Sequence, residues 1–164
     1  MNQDNPTENM IEILRKFDNL MVITDARNGA FHGRPMAVAD VTSSGELWFV
    51  TSRESEKVKE VHAMGRSVVT GQQTGSYVSL SGHIETVDDP ERVRALWNEA
   101  WKVWFPEGKE DPQIVLLRFR AESGEYWSTS GAAGIRYLFE AAKALLTGER
   151  PNSTDPAHHA KVRM

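Results

Sequence analysis

The sequence predicts an α+β domain built on a small, mostly antiparallel β-barrel with peripheral helices. Three observations predict it. Strand-like runs follow one another through short turns, which favours antiparallel neighbours over crossover connections. Helical patterns occur singly between groups of strands, giving the order helix, three strands, helix, two strands, helix, strand, helix. No internal repeat or break in composition divides the 164 residues, a length that suits one adequately cored domain.

The elements follow in order. Asn5-Pro6-Thr7-Glu8 opens a helix, with Asn5 able to cap, Pro6 suited to the first turn and Glu8 placed to reach back. Met10, Ile13, Leu14 and Phe17 give that helix an apolar face for the core. Leu20 to Asp25 reads as a strand, and Arg27-Asn28-Gly29 as a turn favouring positive φ. FHGRPMAVAD, residues 31–40, is extended, because Pro35 forbids a helix interior and biases Arg34 toward the β region. Ser43-Ser44-Gly45 turns the chain into Leu47-Trp48-Phe49-Val50, a second strand of aromatic and branched residues. Thr51-Ser52-Arg53-Glu54-Ser55-Glu56-Lys57 leads into a helix with Val58, Val61 and Met64 as its apolar positions and Gly65 at its end.

Ser67 to Gly71 and Tyr77 to Val87 form the next strands, separated by QQTGS. In the second, Tyr77, Ser79 and Ser81 alternate with Val78 and Leu80, so one face is dry and the other wetter. Asp89-Pro90-Glu91 starts a helix whose Val93, Leu96, Trp97, Ala100, Trp101 and Trp104 share one stripe. That stripe reads as packing against a sheet for Trp97 and Trp101; Trp104 lies where the helix must stop before Pro106. After a charged loop at 107–112, residues 114–120 and 124–128 make a long strand bent near Ser123-Gly124. Ser130 to Gly148 predicts a last helix with Ile135, Leu138, Phe139, Ala142, Leu145 and Leu146 on its apolar face. The reading is therefore one domain over 1–148 and a tail over 149–164. The tail is too polar to fold alone, and His158-His159 reads as solvated.

Composition excludes several classes of function. A formal charge of −4 without a basic stripe argues against a nucleic-acid partner. No cysteine is present, which removes disulfides, thiol catalysis and cysteine-bound metals and fits a reducing cytoplasm. MNQDNPTE does not read as a secretory leader, and no apolar run approaches the ~20 residues that cross a bilayer.

The chemistry concentrates where the second hairpin ends. A helix N-terminus offers unpaired N–H groups and a partial positive charge to an anion. The hydroxyls of Thr51, Ser52 and Ser55 can donate to the same anion, Lys57 adds a full charge, and Arg34 lies on the neighbouring strand. The same residues also read as an ordinary Ser cap followed by solvated charges, and the residues alone leave both readings open. His32 and His83 read as hydrogen-bonded strand histidines. No paired carboxylates, nucleophile–base pair or metal cluster suggests a catalytic centre.

GRPM at 33–36, LWFVTSRESEKVKEV at 47–61, YVSLSG at 77–82, VDDPERVRALW at 87–97, WFPEGKEDP at 104–112 and EYW at 125–127 occur in order over nearly the whole chain. Together they resemble the pyridoxamine 5′-phosphate oxidase-like FMN-binding split barrels, in particular their general stress protein branch. The resemblance implies a split barrel and a homodimer with FMN at the subunit interface. It implies that Arg34, Pro35, Met36 and Ala37 run along the flavin. Arg34 would contact the phosphate or ribityl chain, Val50, Thr51 and Ser52 would hold the phosphate, Ser55 would assist, and Lys57 would be its cation. Tyr77 stands where the oxidases carry a glutamine, and Trp127 matches an aromatic near the cofactor that can reach the partner's flavin.

Two departures separate the chain from the oxidases proper. Glu56-Lys57 replaces their adjacent Arg-Lys, and the segment that would grip pyridoxal phosphate is STSGAAGIRYLFEAAKALL, with Arg136 alone retained. The expectation is an FMN-dependent oxidoreductase of unstated substrate that does not oxidise pyridoxamine phosphate. A non-catalytic FMN carrier or stress sensor, and a split barrel holding haem or a deazaflavin, remain alternatives.

Overall fold

The computed structural model describes residues 5–26, 28–128 and 159–164; the helix expected over 130–148, with Arg136, lies outside them. Helix α1 (Pro6–Leu14) begins as expected, with the Asn5 side chain accepting from the Thr7 and Glu8 amides. Strands β1 (Asn19–Asp25), β2 (Phe31–Val41) and β3 (Leu47–Ser52) follow, joined by turns in which Gly29 and Gly45 take φ near +83° and +84°. Helix α2 (Glu56–Met64) ends on Gly65, whose φ of 63° only glycine adopts cheaply. β4 (Arg66–Gln73), β5 (Ser76–Val87), α3 (Pro90–Leu96), two short 3-10 turns, β6 (Ile114–Ser128) and β7 (His159–Arg163) complete the order.

Among the described residues all strand pairings are antiparallel. The strands run β3-β2-β1-β4-β5-β6, and β3 also pairs with β6, so six strands close into a barrel with β7 added on β6. This is a split β-barrel with peripheral helices, the expected fold class. β6 lies along β5 over most of its length, while its other edge is divided between β3 and β7.

Alternation explains why β3 up to Val50 and the first part of β6, Ile114 to Leu117, are apolar on both sides. Leu47, Phe49, Val115, Leu117 and Phe119 point into the barrel with Leu20, Val22, Leu80 and Tyr126, and α1 closes this core with Met10, Ile13, Leu14 and Phe17. Trp48, Ile114 and Leu116 point outward and meet Val93, Trp101 and Phe105 in a second core under the 90–105 segment. Over these residues both faces are dry, whereas the far half of β6 is two-faced, with Tyr126 buried and Arg120, Glu122 and Trp127 exposed.

Three expectations are corrected. The stripe from Val93 to Trp104 is not one helix: α3 ends at Leu96, Trp97 turns extended at ψ 130°, and a 3-10 turn covers Glu99–Val103. Asn98 causes the break, because its side chain accepts from the Ala100 amide and caps a new turn. Trp97 and Trp101 still meet edge to face at 5.8 Å, and both pack in the outer core as expected. Next, β6 is continuous; in place of a bend at Ser123-Gly124 it carries a bulge, since Ser81 faces Ser123 while Gly82 faces Ala121, leaving Glu122 extra. Finally, residues 159–163 are not a solvated tail. They pair with β6, Val162 is buried, and His159 stacks on Trp127 at 5.2 Å with its Nε2 2.5 Å from Glu125 Oε1. His158 lies outside the described residues.

Candidate functional site

The antiparallel β2–β3 pairing sets Pro35, Met36 and Ala37 beside Val50, Thr51 and Ser52 at one end of the barrel. α2 starts four residues after Ser52 and returns Lys57 to the same place. Trp101, Trp104 and Phe105 close the outer side, and a cavity of about 400 Å³ lies between. That volume falls in the range of small-molecule pockets, ~300–1,000 Å³.

Inside it, Lys57 Nζ donates to Thr51 Oγ1 at 3.0 Å; Ser55 is not part of the lining, and its Oγ lies 3.4 Å from Thr51 Oγ1. Ser55 is the residue before α2, with extended backbone and no side-chain bond to the helix amides. Its expected capping bond is therefore not formed, and the first-turn amides of α2 take nothing from that hydroxyl. Burial, then the Arg34 charge, lower the Lys57 pKa from its ordinary value, while Glu60 opposes the shift. The cavity thus holds a partly desolvated ammonium, a hydroxyl and a helix start, which together suit an anion.

The cavity is lined by seven of the eleven residues named from the sequence: Pro35, Met36, Ala37, Val50, Thr51, Ser52 and Lys57. Arg34 lies behind it. Its Nη2 donates to Glu60 Oε2 at 2.8 Å and its Nη1 to Thr24 Oγ1 at 2.6 Å. The same Thr24 hydroxyl donates to Glu60 Oε2 at 2.5 Å, and His32 Nδ1 donates to Glu60 Oε1 at 2.7 Å. Glu60 is only 9% exposed; burial pushes its carboxyl pKa up, but the bonds from Thr24, Arg34 and His32 and the Arg34 charge hold it at about 2.

Tyr77 and Trp127 face each other across β5 and β6 and line a different cavity, of about 540 Å³, with Leu20, Met21 and Pro35. They are 44% and 40% exposed. Pro35 borders both cavities. A third cavity, about 640 Å³, shares Ala37, Trp101 and Trp104 with the first and extends to Arg15 and Asp18.

Sequence reasoning missed Glu60 and Thr24. Glu60 carried a signal, since it sits one turn after Lys57 on a nine-residue helix whose exposed face it does not share. Thr24 carried none: it reads as an ordinary strand threonine. The sequence does not decide the place of Trp104. It is 69% exposed and forms a wall of two cavities.

A closed antiparallel barrel with an ammonium-bearing cavity at the β2–β3 end defines a split-barrel protein with a candidate anion site. The family model described as pyridoxamine 5′-phosphate oxidase like matches residues 5–152, and the chain belongs to that family, in its general stress protein branch. The fold is similar to the crystal structure of a protein assigned as general stress protein 26 from Jannaschia sp. CCS1. The two are 30% identical with a TM-score of 0.77, covering 96% of this chain and 98% of that one. It is also similar to the general stress FMN/FAD binding protein of Xanthomonas citri, at 27% identity and a TM-score of 0.65 over 77% of this chain and 90% of that one. Protein bli-3 of Neurospora crassa is 28% identical over 143 residues, 80% of this chain and 68% of that protein. Among the described residues, no helix is long and apolar enough to cross a membrane.

Proposed function

We propose that this chain binds FMN in the cavity between β2, β3 and α2, and acts as a flavin-dependent oxidoreductase of the general stress type. The observation that carries the reading is the approach of Lys57, Thr51 and the start of α2 at one end of a cavity whose walls are the Pro35–Ala37 strand and Val50. The residues present fit that group. A phosphomonoester needs charge and donors at one end, which Lys57, Thr51 and Ser52 supply from the lining, with Ser55 outside it and 3.4 Å from the Thr51 hydroxyl. The ring system needs an apolar strand edge, which Pro35, Met36 and Ala37 supply. A bound anion also offsets the burial cost that depresses Lys57.

The flavin would supply the electron transfer, and the protein its binding, orientation and electrostatics. Arg34 then acts one layer back, holding positive charge behind the phosphate rather than lining the cavity. Tyr77 and Trp127, which line the other opening, serve a flavin held by the partner in a homodimer. Glu56 in place of a second cation, together with STSGAAGIRYLFEAAKALL where the oxidases carry the segment that grips pyridoxal phosphate, argues against pyridoxamine phosphate as substrate. The relative from Xanthomonas citri, described as binding FMN or FAD, supports the cofactor class.

Calorimetric titration with FMN and riboflavin tests the reading. Two charge-assisted contacts of ~1.5–3 kcal/mol each separate the ligands by a factor of ~100 or more. Equal affinities reject it. Oxidation of a reduced nicotinamide by the FMN-loaded protein then separates an enzyme from a carrier.

A further inference from the structure

Glu60 does not line the 400 Å³ cavity, yet both cations beside that cavity answer to it. Arg34 Nη2, Thr24 Oγ1 and Arg34 Nη1 close a hydrogen-bonded ring with Glu60 Oε2, and His32 occupies Oε1. Both oxygens are therefore used, and the guanidinium is fixed at two points. Lys57 lies one turn earlier on the same helix, close enough for its charge to feel Arg34 and Glu60 in opposite senses.

We propose that Glu60 is a positioning residue of the anion pocket: its buried carboxylate holds the Arg34 guanidinium on Thr24 and balances the cation in the pocket, Lys57, and the one behind it, Arg34. This rests on the phosphate reading above. Two like charges in a partly desolvated site repel, and one gives way unless a counter-charge is built in. An arginine does not release its proton, so a lysine is the group that yields. Glu60 opposes that. The groups facing it are His32 and Arg34 from β2, Thr24 from β1 and Lys57 on its own helix; β5, also packed on α2, meets it through the 2.8 Å His62–Thr86 hydrogen bond.

The consequence is a pH ceiling on FMN binding. Affinity falls where the free protein's Lys57 loses its proton, and Glu60 keeps that limb at higher pH. The test measures dissociation constants for FMN and riboflavin by flavin fluorescence from neutrality to about pH 10, the range in which lysines titrate. Riboflavin has no phosphate but shares the ring's own ionisation, and so supplies the baseline. Glu60→Gln keeps the shape and removes the charge; its alkaline limb starts about one pH unit lower, so on that limb FMN binds ~10-fold more weakly than to the parent, with riboflavin unaffected. Arg34→Gln removes the guanidinium charge that opposes the Lys57 charge while Glu60 stays, and moves the limb upward. Lys57→Arg removes the limb in either background, because a guanidinium stays charged.

A Glu60→Gln limb that coincides with the parent's overturns the proposal. If that variant does not fold, Arg34→Gln decides, and a limb that fails to rise overturns it. A parent that binds FMN no better than riboflavin removes the phosphate reading and this inference with it. A parent that prefers FMN, with unmoved limbs in the variants, removes this inference alone.

Discussion

At Glu60 burial and hydrogen bonding pull in opposite directions, and the bonds win. A carboxyl held at about 2 against an ordinary 4.5 stabilises the fold above the unfolded-state value. That stability is complete above about pH 5 and is lost as pH falls from there toward about 2, some 3 kcal/mol in all. Urea unfolding followed from pH 6 downward checks the sign: the parent loses stability across this window, and Glu60→Gln has a flatter profile. Lys57→Ala is the complementary case. It removes a charge at the cavity but no core contact, so FMN binding falls by ~2 kcal/mol, about thirtyfold, with little change in apo-protein unfolding. Titration calorimetry and thermal unfolding of the same samples separate the two effects. The Lys57 position was legible in the sequence, because helix starts and hydroxyl clusters are local patterns. The Arg34–Glu60 ring was not, since it joins three elements whose packing only the closed barrel determines.

At the scale of elements, the 90–105 segment shows why a clean helical stripe misled. Val93 and Trp101 do share a core, but through a helix, an extended residue and a 3-10 turn. Spacing reports which side chains are buried together more faithfully than it reports the backbone between them; Asn98, a strong capping residue, was the local sign of the break. Trp101→Ala therefore costs about 3–5 kcal/mol of unfolding free energy, as for other buried tryptophans. Trp104→Ala, at an exposed cavity wall, leaves denaturant midpoints nearly unchanged while altering flavin fluorescence. β7 was missed for a different reason. A five-residue strand with one buried side chain, Val162, has too little pattern to stand out, and it exists because the far half of β6 offers a free edge. Deleting residues 159–164 removes that burial and the stack on Trp127, with an expected loss of about 2 kcal/mol or more by chemical denaturation.

For the whole molecule, aromatic surface sets the expectation about assembly. Phe31, Tyr77, Trp104 and Trp127 are all substantially exposed, and Trp and Tyr favour interfaces. Light scattering at micromolar concentration is expected to give a dimer. Trp127→Glu, or a charge at Trp104, is expected to shift it toward monomer and weaken flavin binding in parallel. A wild-type monomer that binds FMN normally would contradict the two-subunit site. The antiparallel barrel itself was partly visible in the strand-and-turn order, but its closure was not, because nothing local tells β3 that its second neighbour is β6.

That closure also has a history in time. The hairpins β1–β2, β2–β3 and β4–β5 join neighbours in the chain, whereas the β3–β6 ladder brings Ser52 against Ile114, across two strands and two helices. Long loops are entropically costly to close, so chains that rely on such pairings fold slowly. The ring is thus expected to shut last, after the hairpins have formed, and to open first in rare excursions. In β6 the amides that bond to β3 would exchange with deuterium sooner than those that bond to β5, although they belong to one continuous strand.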